Sequence, residues 1–242
     1  MATPSAFDLL WGSGGRPRRG PKPSLSLERI VTEAIALADA DGLASLSMQH
    51  LAERLGCAKM ALYRYVPGKA ELVALMVDAG LGDPPPPPVR AAGSAPGEAA
   101  WRAVLHQWAT TIHQRYRAHP WAIEATVGAR PTGPNEMAWM ENALAALAGT
   151  GLTGSERLDA VVLLNGHVRS LVQVTSAGQQ LEGEIARQVG LALSAHAERY
   201  PQVLAAFSAR PGPGGRDNAL DFGIDRILDG LAALIAERRS SE

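Results

Sequence analysis

The spacing of apolar residues constrains this chain most. Between interruptions rich in proline and glycine, apolar side chains recur at i, i+3, i+4 and i+7, and strand-like alternation over four or more residues is hard to find. In 27–41, for example, Leu27, Ile30, Val31, Ala34, Leu37 and Ala38 share one helical face, and Gly42 follows as a stop. The pattern predicts an all-α protein, with later helices at about 98–118, 121–128, 135–148, 154–178, 183–199 and 216–238. At 242 residues, with 46% hydrophobic and 19% charged side chains, the chain is long enough to bury a core without staples. The single cysteine, Cys57, excludes an internal disulfide framework and makes a zinc knuckle implausible; it reads as a small filler in a turn. No uncharged apolar run approaches the roughly 18 residues needed to cross a bilayer, so no membrane partner and a cytoplasmic location are expected.

Proline and glycine also divide the chain. Residues 1–23 read as a flexible basic arm in which Arg16, Arg18, Arg19 and Lys22 stand without a neighbouring acid. Residues 24–82 form a small head, and residues 83–97, with five consecutive prolines, form a stiff linker. Residues 98–242 make the larger helical body, with a further break at 209–216.

The stretch Leu46–Lys69 is the most specific. Ser47 is placed to cap a short helix whose apolar side is Leu51, Ala52 and Leu55, and Gly56 ends it. A second short helix follows at about 58–65, with Leu62 and Val66 facing inward and Pro67-Gly68 closing it. Two short helices joined by a glycine turn are the helix-turn-helix arrangement. Lys59, Met60, Ala61, Tyr63, Arg64 and Tyr65 take up the rest of the second helix's circumference, giving a cationic, aromatic face. A duplex major groove admits one such helix and offers acceptors to lysine and arginine, so Lys59 could reach a base edge. Tyr63 and Lys69 suit phosphate contacts, and Gln49 suits either phosphate or base. The net charge of -1 gives no such hint, because the positive charge is local.

These residues bring a resemblance. From Ser26 to Gly82 the chain resembles the N-terminal DNA-binding domain of the tetracycline-repressor (TetR) family, through Asp41-Gly42, Leu46-Ser47, Leu51-Ala52, Leu55-Gly56, Leu62-Tyr63, Val66 and Lys69, with an apolar fourth helix carrying Leu72, Val73, Leu75 and Met76. By position, the resemblance implies a DNA-facing set of Ser47, Gln49, Lys59, Met60, Ala61, Tyr63, Arg64, Tyr65 and Lys69. The body is also similar to the tetracycline-repressor branch at 128–132, at Asn165-Gly166-His167 and at 219–235, which implies an inducer pocket lined by Arg130, Pro131 and His167. Where that branch places a histidine for tetracycline-bound magnesium, this chain has Thr126, so neither a metal nor another cofactor is expected. The implied function is a regulator, a repressor released from a palindromic double-stranded operator by a small-molecule effector and acting as a homodimer.

The stripe Leu220, Ile224, Ile227, Leu228, Leu231, Leu234 and Ile235 is the expected dimer surface, paired with 154–178. Two other classes fit less well. The chain carries no HExxH, GxSxG or glycine-rich phosphate loop, so an enzyme with catalytic residues is not expected. A dimeric protein-binding adaptor would share the bundle but has no use for the cationic face.

Overall fold

The computed structural model describes residues 5–12, 25–86, 98–176, 179–208 and 218–240, and among these every regular element is helical. The order is α1 (Ala6–Trp11), α2 (Leu27–Asp41), a 3-10 turn (Leu43–Ser45), α3 (Met48–Leu55), α4 (Lys59–Leu62), α5 (Lys69–Leu81), α6 (Glu98–Ala118), α7 (Trp121–Ala125), α8 (Pro134–Ala146), α9 (Gly154–Ser176), α10 (Gln179–His196), α11 (Pro201–Ser208) and α12 (Ala219–Ser240). No described helix is long and apolar enough to cross a membrane. The arm cations Arg16, Arg18, Arg19 and Lys22, most of the linker (87–97) and the break at 209–216 lie outside the described residues.

Local chemistry sets the head. The Ser26 hydroxyl accepts from the Arg29 N–H at 3.2 Å and the Ser47 hydroxyl from the His50 N–H at 3.1 Å, caps worth about 1 kcal/mol each. α3 stops at Gly56, whose φ of 64° and ψ of 35° place it in the left-handed region that a side chain disfavours. Ile30, Leu37, Leu51, Leu62, Val66, Leu72 and Met76 are then fully buried together. α4 is shorter than the spacing predicts. Tyr65 N–H already bonds the Leu62 carbonyl three residues back, at 2.8 Å, and Pro67 disfavours helical geometry at Val66, so the chain leaves the helix as a turn.

In the body, α6, α8, α9 and α12 pack around Trp101, Leu105, Trp108, Tyr116, Trp139, Leu164 and Val168, all buried. Trp108 and Trp139 meet edge to face with centroids 5.6 Å apart, and the Trp108 indole N–H donates to the Trp139 carbonyl at 2.9 Å.

Three features differ from the sequence reading. Most of the α12 stripe faces inward: Ile224, Leu228, Leu231 and Ile235 are buried within their own chain, because α12 must close the body against α6 and α9, while Leu220, Ile227 and Leu234 are half-buried. On the same two helices, exposed apolar residues are Leu158, Val162, Leu163 and Val174 of α9 and Phe222 of α12. Residues 6–11, assigned to the arm, form a helix capped by Ser5, because Leu10 finds burial against the head. α11 starts on Pro201, which reads as a break in sequence but suits a first helical position; none of its residues is buried.

Candidate nucleic-acid interface and interior polar cluster

The head seals its apolar residues and leaves a polar set outside. Ser47, Gln49, Lys59, Met60, Arg64 and Lys69 are exposed, Met60 at 72%, while Ala61 and Tyr63 are half-buried. α3 presents Gln49, whose amide donates to Glu53 Oε1 at 2.8 Å. α4 presents Lys59, with its Nζ 6.0 Å from the centroid of the Tyr63 ring, so cation and aromatic stand as one unit. α5 begins at Lys69 with no side chain capping its first turn; Lys69 Nζ donates to the Leu43 carbonyl at 3.2 Å. Uncapped N–H groups beside a lysine form a seat for an anion. Arg54 is bound back to Glu33 of α2 at 2.7 Å, which holds α3 on α2.

One predicted residue is placed elsewhere. The Tyr65 hydroxyl donates to the Leu25 carbonyl at 3.0 Å and its ring is half-buried against the head core, so it fastens the start of α2. Its deviation follows from the early end of α4, which rotates residue 65 off the outer face.

The predicted pocket residues separate into two places. Arg130 and Pro131 stand on the turn before α8, where Arg130 grips both carboxylate oxygens of Glu136, Oε2 at 2.6 Å. That bond holds the guanidinium firmly charged. His167 lies between α9 and α12, with Nε2 3.2 Å from the Leu220 carbonyl; the close approach is possible because Gly223 has no side chain to meet the ring.

Between these places lies a polar cluster that the sequence reading missed. Tyr116 of α6 is 4% exposed and faces Asn165 and Arg169 of α9; burial pushes its phenol up, against the opposing effect of Arg169 and Asn165. Arg169 donates to the Thr126 hydroxyl at 2.7 Å and to the Ile123 carbonyl at 3.3 Å. Asn165 Oδ1 is buried without a hydrogen-bond partner among the described residues, as is the Trp101 indole nitrogen. His113, one turn before Tyr116, is held below the ordinary histidine range, first by burial and then by the positive Arg117 and by His167. His106, two turns earlier on α6, lies 3.8 Å from Asp221 nearer the surface. Asn165 and Arg169, i and i+4 on the same helix face between Val161 and Val172, were the available signal.

Head and body are joined by two carboxylates. Asp39 of α2 accepts from the Trp121 indole at 2.6 Å and faces His119 Nδ1 at 2.8 Å. Asp78 of α5 is buried and accepts from the Asn135 and Glu136 N–H groups at 2.9 and 3.1 Å.

Two family models match the chain. Residues 30–76 match the model of bacterial regulatory proteins of the tetR family, and residues 93–235 match that of the tetracyclin repressor-like C-terminal domain. The chain is 37% identical to the HTH-type transcriptional repressor DrrR1 of Streptomyces coeruleorubidus, over 96% of this chain and 87% of that one. Apo ActR of Streptomyces coelicolor superimposes with a TM-score of 0.72 at 25% identity, covering 90% of this chain and 99% of ActR. ActR in complex with actinorhodin gives 0.70 at 26% identity, covering 88% and 97%.

Proposed function

Because the chain belongs to the tetR family of bacterial regulators it is a DNA-binding repressor that answers to a small molecule and works as a dimer, and we propose that Ser47, Gln49, Lys59, Met60, Ala61, Tyr63, Arg64 and Lys69 make its operator contacts. It is a transcriptional regulator rather than an enzyme, and the adaptor alternative is not favoured. The observation that carries the contact set is the exposed Lys59–Tyr63 unit on a helix whose other side is sealed by Leu62. Lys59 reads a base edge, Tyr63 and the uncapped start of α5 with Lys69 hold phosphates, and Gln49 orients the head. Tyr65 supports this face from behind. Two heads spaced about 34 Å apart read a palindrome and combine their free energies. We place the protein in the cytoplasm, beside its DNA.

We read the effector as a ring compound bearing ionisable oxygens. Arg169 supplies a fixed positive charge, Asn165 Oδ1 an unused acceptor, and Tyr116 and His113 further polar edges, with His167 beside them and apolar walls around. Thr126, where the related branch has its metal-holding histidine, accepts from the Arg169 guanidinium through its hydroxyl. Arg130 lies within electrostatic reach of Tyr116, and with Pro131 it acts on the ligand through the turn they form.

The test is a fluorescein-labelled duplex from the DNA upstream of the gene, titrated by anisotropy. Binding that weakens steeply with salt, and release of that duplex by a ring compound which raises the melting temperature of the wild type but not of Arg169→Met, is the expected result. Release and thermal shift that survive Arg169→Met unchanged would remove the effector assignment.

A further inference from the structure

We propose that the groove walled by α1, α2 and α5 is a second small-molecule site, separate from the interior polar cluster, and that it takes an amphiphilic amine whose ammonium group seats on Asp78. The inference goes beyond the regulator reading and does not need it.

The groove exists because α1 docks. Leu10 is buried, α1 lies along α5, and the Trp11 indole donates to the Thr132 carbonyl at 2.9 Å, so the short helix is fastened at its far end to the body. Between α1, α2 and α5 this leaves a cavity of about 520 Å³, within the roughly 300–1,000 Å³ that small-molecule sites occupy. Its walls are apolar, with Leu9, Leu10, Val31, Ile35 and Leu75 along them. The polar lining is Glu28, Thr32, Asp78 and Asn135, and no lysine, arginine or histidine is among the lining residues.

Asp78 sets the charge of the occupant. The residue is 6% exposed; its Oδ1 accepts from the Asn135 and Glu136 N–H groups, whereas Oδ2 accepts no hydrogen bond among the described residues. A buried carboxylate oxygen without a donor is costly. The surrounding charges leave it uncompensated. Arg130 is the cation within reach, but its guanidinium is held by both carboxylate oxygens of Glu136, so two carboxylates share one positive charge. Burial pushes the Asp78 acid up, against its two backbone bonds. Glu28, exposed in the first turn of α2, adds a second negative charge to the lining.

Apolar walls with two acids and no cation match a primary amine on an aryl or alkyl body. The ammonium brings three donors, for Asp78 Oδ2 and for the acceptors of Thr32 and Asn135, while the body covers the leucine and isoleucine wall. An anion or a neutral compound leaves Asp78 unmatched. The interior cluster, with Arg169 at its centre, selects the opposite sign, so the two sites sort ligands by charge.

Calorimetric titration of the full-length dimer tests this, with naphthylmethylamine as the probe and naphthylmethanol and naphthoate as its neutral and anionic counterparts. The amine should bind at least about tenfold more tightly than either. Asp78→Asn, which keeps an acceptor for the α8 N–H groups but loses the charge, should weaken the amine by about tenfold or more and leave the alcohol unchanged. If Asp78→Asn does not fold, Leu9→Arg, which brings a guanidinium into the space from the half-buried side of α1, should block the amine in its place. Amine that fails to bind, binds no better than the alcohol, or binds the folded variants undiminished overturns the site. A synthetic peptide of residues 13–24 that displaces the amine would assign the groove to the chain's own basic stretch and overturn the small-molecule reading too. Duplex binding is measured separately, so a protein that takes the amine at Asp78 but no duplex loses the regulator reading alone.

Discussion

The head and the body of this chain carry their chemistry on opposite sides of their apolar cores. In the head, Leu51, Leu62 and Leu72 are sealed inside and the reactive side chains are what remains outside on short helices. In the body, Tyr116 is buried and Asn165 and Arg169 are half-buried beside it, brought together from two long helices. An outward site needs only that each helix be correctly capped and turned. An inward site needs elements some 50 residues apart to arrive in register, and buried polar groups there are costly unless paired or filled by a ligand.

The comparison can be broken in several places, and the largest effect belongs to the core of the body. Leu228→Asp puts a charge among fully buried neighbours and should abolish folding, a loss above about 4 kcal/mol in urea denaturation. Val162→Glu with Leu163→Glu, on the exposed face of α9, should instead leave a folded chain that scatters light as a monomer. If the two results were exchanged, the inward orientation of the α12 stripe would be wrong.

Smaller effects sharpen the head. Leu51→Ala removes a fully buried side chain from α3 and should cost about 2–5 kcal/mol of stability by chemical denaturation. Ser47→Ala removes one cap and should cost about 1 kcal/mol, with little change in fold by circular dichroism.

The smallest effect is acid-dependent and belongs to the body. Glu156, bonded by Thr153 and then by Arg238, has its carboxyl lowered to about 2. A carboxylate lowered in the folded state contributes stability above its ordinary value near 4.5, which is lost as pH falls towards 2. The difference in urea midpoint between wild type and Glu156→Gln should therefore shrink across that window; a constant difference would show that the bond to Arg238 adds nothing.

The two regions also differed in how far they could be read in advance. Ser47, Gly56, Leu62 and Val66 act within one or two turns of chain, so caps and spacing revealed them. Tyr65 misled because helical spacing assumes the helix continues, and Pro67 ends it early. Arg130 was identified by its motif, but its work with Glu136 and Asp78 depends on a contact made 57 and 58 residues along the chain from Asp78. α1 was missed because six residues carry too weak a period, and only the partner surface on α5 gives Leu10 a place to go.

The outer face of the head remains the centre of the account, and one titration addresses it most directly. The upstream duplex should bind the wild type tightly at low salt, and Lys59→Ala with Tyr63→Ala should weaken it by about 10- to 100-fold, equivalent to some 1–3 kcal/mol, without lowering the melting temperature. Equal affinity of the double variant and the wild type, with both folded, would contradict the placement of the DNA contacts on α4.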